Sequence, residues 1–208
     1  MRNKENSFLL DAFKYLPIKV LPAAAGLLAI FILTKQFSDS NYINYVYIIT
    51  SLLLINQLCG GWVNSSMMFF IPKCKNEREE KFLIAQFFNI QFVLVFFGII
   101  ILFLLIFFEL NNYALIIISI GIFLLQIGIN FVNSFLQSKR LIKAQVVSTL
   151  LQSGIQISAL LLIYFFFGNN LVAYLIIYCL SFAISFVSLI SNKSFHINFE
   201  KFDKKIIF

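Results

Sequence analysis

Apolar residues in this chain run in long, nearly unbroken blocks separated by short polar or charged stretches. A helix crosses the bilayer's ~30 Å hydrocarbon core with about 20 mainly apolar residues. Six blocks reach that length, at 15–34, 42–70, 82–108, 113–137, 145–167 and 171–191. Lipid supplies no hydrogen-bond partners to an exposed backbone, so such runs must be helices or strands of a closed barrel. Their continuous hydrophobicity, without strict alternation, excludes the barrel. The pattern therefore predicts an all-α polytopic transmembrane bundle of about six helices over 15–191, with a tail at 1–14 and a basic tail at 192–208.

Helix breakers fall between the blocks. Pro72 follows the second, Asn111 and Asn112 join the third to the fourth, and Gly168-Asn169-Asn170 makes a tight turn between the fifth and sixth, so the helices are expected to pair as hairpins. Pro17 and Pro22 both lie in the first block, where each removes a backbone donor and favours a bent axis.

The charges set an orientation. Of the 16 Lys and Arg residues, Arg2, Lys4 and Lys14 precede the first block, Lys73, Lys75, Arg78 and Lys81 follow the second, Lys139, Arg140 and Lys143 follow the fourth, and Lys193, Lys201, Lys204 and Lys205 follow the sixth. The opposite loops hold only Lys35. By the positive-inside rule both tails are expected on the cytoplasmic side, which an even helix count allows.

Composition agrees. At 61% hydrophobic and 12% charged, the chain lies far from soluble domains, which are about half apolar and a quarter charged. The net charge of +7 comes from loop clusters rather than from one face of an element, so no nucleic-acid partner is expected. Cys59, Cys74 and Cys179 are odd in number and show neither a disulfide framework nor metal-ligand spacing. No removable signal peptide is recognisable.

Polar residues within the blocks follow a rule. Gln126, Asn130, Asn133 and Gln137 in the fourth, Gln145, Thr149, Gln152 and Gln156 in the fifth, and Tyr174, Tyr178, Ser181 and Ser185 in the sixth all recur at i, i+4, i+7 and i+11. That spacing is one face of a helix. The second block adds Asn56, Gly60 and Asn64, and the third Gln86 and Asn89. Any one such side chain can be interhelical glue worth about 0.6 to 2 kcal/mol. Whole stripes of carboxamides fit better a partly hydrated, mostly neutral cavity at the bundle axis. Lys19 is the one basic residue inside a block. It either meets an anionic substrate group or snorkels to the nearby interface.

No acidic residue lies inside a block, no Gly-rich phosphate loop or carboxylate pair occurs, and the single histidine, His196, is in the C-terminal tail. General acid–base or metal-assisted chemistry needs such groups, so neither an enzyme nor a cofactor is expected.

Several stretches resemble the start of a known family. They are Tyr15-Leu-Pro-Ile-Lys-Val-Leu-Pro22, Ile30-Phe-Ile-Leu-Thr-Lys-Gln-Phe-Ser38 followed by Asn41-Tyr42 through Tyr45, Gly60-Gly-Trp-Val-Asn-Ser-Ser-Met-Met-Phe-Phe-Ile-Pro72, and the Gln137-Ser-Lys-Arg140 loop. These are similar to oligosaccharide flippases of the multidrug/oligosaccharidyl-lipid/polysaccharide exporter superfamily. The resemblance is hydropathic and covers essentially the whole chain. It implies one six-helix lobe of a two-lobe exporter, with Lys19 a contact for a diphosphate and Asn56, Asn64, Gln126, Asn130, Asn133, Gln152, Gln156 and Tyr178 lining the cavity. It implies transport of undecaprenyl-diphosphate-linked O-antigen or capsular repeat units across the bacterial inner membrane. The partners would be that lipid-linked oligosaccharide, membrane lipids, a second lobe or homodimer partner, glycosyltransferases and a repeat-unit polymerase. Family members usually carry a second lobe, and this sequence stops at Phe208, which suggests a truncated form, a fragment or a half that dimerises. A drug or cation exporter of the same superfamily is the next reading, weakened by the lack of intramembrane carboxylates. A structural membrane protein without transport of its own is the third.

Overall fold

The computed structural model describes residues 2–191, with side chains for 16 and for 18–191 apart from 167. The expected basic tail at 192–208, with His196, lies outside the described residues, as do the side chains of the N-terminal tail. The described chain is a bundle of α-helices with six segments long and apolar enough to cross a membrane.

Helix α1 is Arg2–Gln36 and continues through Pro17 and Pro22 as one helix. Segment α2 is Asp39–Lys73; its α-helical parts, Asp39–Asn56 and Trp62–Phe70, are joined by a π-helical turn at Gln57–Gly61, and it closes with a 3-10 turn at Ile71–Lys73. Helix α3 is Glu77–Leu110, α4 is Tyr113–Ser138, α5 is Ile142–Leu162 running into a second π turn at Ile163–Phe167, and α6 is Leu171–Ile190.

Asparagine sets four of the boundaries. Asn76 caps α3 by accepting from the Glu79 N–H at 2.9 Å, while the Glu79 carboxylate accepts from the Lys75 N–H at 2.9 Å. The first bond satisfies a donor that a helix start leaves free, and the second ties the incoming chain to the same turn. Asn112 caps α4 through Ala114 and Leu115, and Asn170 caps α6 through Ala173. Asn111 ends α3 in the left-handed region at φ 43°, which asparagine tolerates better than most residues.

Hairpin neighbours do pack together, α2 on α3, α3 on α4 and α5 on α6, but α1 lies along α5 rather than along α2. Its buried positions among the described side chains are Ala25, Ala29 and Leu33, with Phe37 just beyond its end, a face whose alanines let two helix backbones approach closely. Helix α4 is central, touching α6, α2 and α3, and its buried set includes Ser119, Phe123, Gln126, Ile127 and Ser134.

The two ends of the bundle differ. At one end, Ser38 and Asn41, at the α1–α2 junction, hydrogen-bond to Asn169, at the α5–α6 turn. At the other, Lys139 after α4 is ion-paired to Glu80 of α3, beside Lys75, Arg78 and Arg140. The latter is the basic end. Along the shaft Leu27, Phe31, Leu54, Phe92, Phe96, Ile117 and Phe165 are exposed, an apolar exterior suited to lipid.

Candidate functional site

The site grows from the π turn. A π turn inserts one extra residue into a helix, widening it locally and changing which carbonyls are paired. Here the widened turn lies near the midpoint of α2 and contains Gly60-Gly61. It presents Asn56 and Asn64 on either side of Gly60, whose bare Cα faces both amides. From α3, buried Gln91 donates its Nε2 to the Cys59 carbonyl at 3.1 Å, bringing a third carboxamide to the same glycine.

From α4 the network continues. Asn56 Nδ2 donates to Gln126 Oε1 at 3.1 Å, and Asn130 Nδ2 donates back to Asn56 Oδ1 at 3.3 Å. Tyr178 of α6 stands near Gln126, and its ring stacks on Tyr174 and meets Phe182 edge-on. Four segments thus contribute to one neutral polar layer. Asn56, Gln91, Gln126 and Tyr178 each sit near the middle of their span, so the layer lies at about mid-depth.

Not every amide atom is used. Gln91 Oε1, Asn64 Oδ1 and Asn133 Oδ1 are buried with no hydrogen-bond partner among the described residues, as are the hydroxyls of Ser119 and Ser153. An unpaired buried acceptor forfeits about 1 to 3 kcal/mol, so each such group is fit to receive a donor.

Of the expected site residues, Asn56, Asn64, Gln126, Asn130 and Tyr178 come together in this layer. Asn133 lies one turn farther along α4, and its main-chain oxygen accepts from Gln145. Gln152 and Gln156 are half-buried on α5 and make no hydrogen bond among the described residues. Lys19 is exposed on α1, which packs mainly along α5 and not along the helices that carry the layer. Ser181 and Ser185 are turned into contacts instead: Ser181 bonds back to the Tyr178 carbonyl, and Ser185 pairs with Ser148 of α5.

Gln91 is the residue that sequence reasoning missed. Its signal is a carboxamide that opens an otherwise apolar run, Gln91-Phe-Val-Leu-Val-Phe-Phe97, deeper in the span than Gln86 and Asn89. Among the described residues no group of three or more His, Cys, Asp or Glu side chains could hold a metal. The layer can offer amide donors and acceptors and aromatic faces to a neutral, hydrogen-bonding group. An open groove of about 300 Å³ lies elsewhere, on α5 and α6, lined by apolar residues such as Leu150, Ile155 and Ile177 beside Gly154 and Ser158. Comparison of the chain with protein families, with curated proteins and with solved structures finds no match.

Proposed function

We propose that this chain is a membrane translocation lobe for a hydroxyl-rich, lipid-linked headgroup: a flippase moving undecaprenyl-diphosphate-linked oligosaccharide units of O-antigen or capsule across the bacterial inner membrane, with both tails cytoplasmic. The observation that carries the reading is the mid-depth layer of uncharged carboxamides, Asn56, Asn64, Gln91, Gln126 and Asn130, drawn from α2, α3 and α4. Amides pair with sugar hydroxyls as both donors and acceptors. The resemblance of the sequence to the flippase family points the same way, as does the basic end around Lys75, Arg78 and Arg140, which suits a cytoplasmic face. On this reading Lys19, near the start of its span, meets the diphosphate at the interface.

Deletion of the gene tests the reading. Lipid-linked repeat units should accumulate inside the cell and return to the surface when the wild-type chain is restored. Complementation by a chain carrying Asn56→Leu and Gln126→Leu should be poor even though it reaches the membrane. A second reading is favoured by one observation: Asn56, Gln126 and Asn130 pair with one another, as interhelical glue does. A packing or assembly protein without transport would leave surface polysaccharide normal after deletion.

A further inference from the structure

The amides around Gly60 are incompletely matched, and the mismatch has a sign. Gln91 is 5% exposed, and its donor is committed to the Cys59 carbonyl, so its oxygen is the free atom. Asn64 Oδ1 is likewise buried and free. What these two carboxamides lack is therefore a hydrogen-bond donor. A metal cation fits poorly, because hard cations take about six or more oxygens, with carboxylates commonly among them, and here two free oxygens stand in a layer without a carboxylate. An O–H group fits, since it brings a donor and no charge into the bilayer interior.

The space also fits. A methyl group placed on Gly60 would stand 3.4 Å from Asn64 Nδ2, 3.6 Å from Asn56 Oδ1 and 3.9 Å from Gln91 Nε2. Those are ordinary van der Waals distances, so the three amides cradle a gap over the bare Cα that a methyl group would fill. Gly61, next along, differs: a Cβ there would come within 2.6 Å of Gln57 Nε2, and that space is already filled by the Gln57 side chain.

We infer that the cradle of Asn56, Asn64 and Gln91 over Gly60 is a hydroxyl-binding subsite that takes a sugar hydroxyl of the transported headgroup. The inference rests on the flippase reading for the source of the hydroxyl. The other source of the same chemistry is a trapped water, which uses such unsatisfied groups in many proteins.

The test uses Trp62, the only tryptophan of the chain, two residues from Gly60. The full chain in lipid nanodiscs is titrated with decyl maltoside below its micellar concentration, and with decylphosphocholine, which has the same tail and no hydroxyls. A saturable change in Trp62 emission with the maltoside alone is expected. Gly60→Ala fills the cradle without a clash and replaces a poor helix former by a good one, so it should fold at least as well as the wild type and weaken maltoside binding about tenfold or more. Gln91→Met should weaken it similarly. Equal responses to both amphiphiles, or wild-type affinity in Gly60→Ala, would overturn the subsite. So would no saturable response to the maltoside while Gly60→Ala raises the melting temperature, the behaviour of a trapped water. Because binding is read on purified protein and export in cells, intact binding without export would count against the flippase reading alone, and export without binding would count against the subsite alone.

Discussion

The side-chain amide of Asn41 donates to both oxygens of Asn169, at 2.9 Å to Oδ1 and 3.1 Å to the main chain, across 128 residues of sequence. Ser38 N–H donates to the same Oδ1 at 2.8 Å. One side-chain oxygen thus ties the start of α2 to the α5–α6 turn, closing the less basic end of the bundle.

Removing that oxygen should loosen the end. Asn169→Ala is expected to cost about 1 to 2 kcal/mol, the net worth of a small number of exposed hydrogen bonds. Asn169→Asp keeps the accepting oxygen and should recover most of the loss. Thermal unfolding of the purified chain in detergent would read both; equal stability of the Ala variant and the wild type would deny the clamp a role.

The layer at mid-depth makes a sharper claim, because Asn56 Oδ1 and Nδ2 are both engaged with α4. A double-mutant cycle of Asn56→Ala with Gln126→Ala should give a coupling energy of about 0.6 to 2 kcal/mol, the range found for hydrogen bonds between membrane helices. Strict additivity of the two single substitutions would mean that the amides do not interact.

Gly98 and Gly154 separate packing from propensity. A Cβ on Gly98 would come within 2.6 Å of Phe123 Cζ and 2.9 Å of Cys59 Sγ, where α3 meets α4 and α2, whereas a Cβ on Gly154 meets nothing within 4 Å. Gly98→Ala should therefore destabilise the fold by about 1 to 3 kcal/mol through overpacking. Gly154→Ala should be neutral or stabilise by up to about 1 kcal/mol. Denaturation of the two variants side by side should rank them in that order.

Cys74, between α2 and α3, supplies a pH-dependent probe of the basic end. Burial raises its thiol above the usual value, Glu79 and Glu80 raise it further, and Lys139 opposes them. The thiolate is the nucleophile, so maleimide should label Cys74 more slowly than an unperturbed thiol at neutral pH, with a rate that climbs as pH rises beyond the ordinary thiol midpoint. Glu79→Gln should speed the reaction at fixed pH and Lys139→Gln should slow it. Peptide mapping of the labelled chain over a pH series measures the rate at this cysteine alone, and a rate unchanged by both substitutions would remove the electrostatic account.

The spans were legible in the sequence because the hydrocarbon core imposes one length and one composition on all of them. The expected 113–137 and 171–191 became Tyr113–Ser138 and Leu171–Ile190. The start of α3 was less legible: hydropathy begins the block at Phe82, but the Asn76 cap and Glu79 carry the helix back to Glu77 through charged residues that an apolar scan discards. The i, i+4 spacing grouped polar residues on one face each of α4 and α6 but could not say what lay opposite them. Ser185 faces Ser148 on α5, while Gln126 faces Asn56 on α2. The π turn at Gln57–Gly61 was hidden for the same reason, since its stabilising contact, Gln91 to the Cys59 carbonyl, comes from a different helix. The placement of α1 on α5 likewise depends on Ala25 and Ala29 finding a neighbour distant in sequence.

The central claim is that these helices cross the bilayer in alternation, with the basic end cytoplasmic and the amide layer midway. Single cysteines at Ser40 and Glu109 on one end, and at Arg78 and Lys143 on the other, placed in a chain whose native cysteines are replaced by alanine, test it directly with a membrane-impermeant maleimide on intact cells. The account predicts labelling at 40 and 109 from outside, and at 78 and 143 only after the membrane is opened. Labelling of both ends in intact cells, or of 78 and 143 alone, would contradict it.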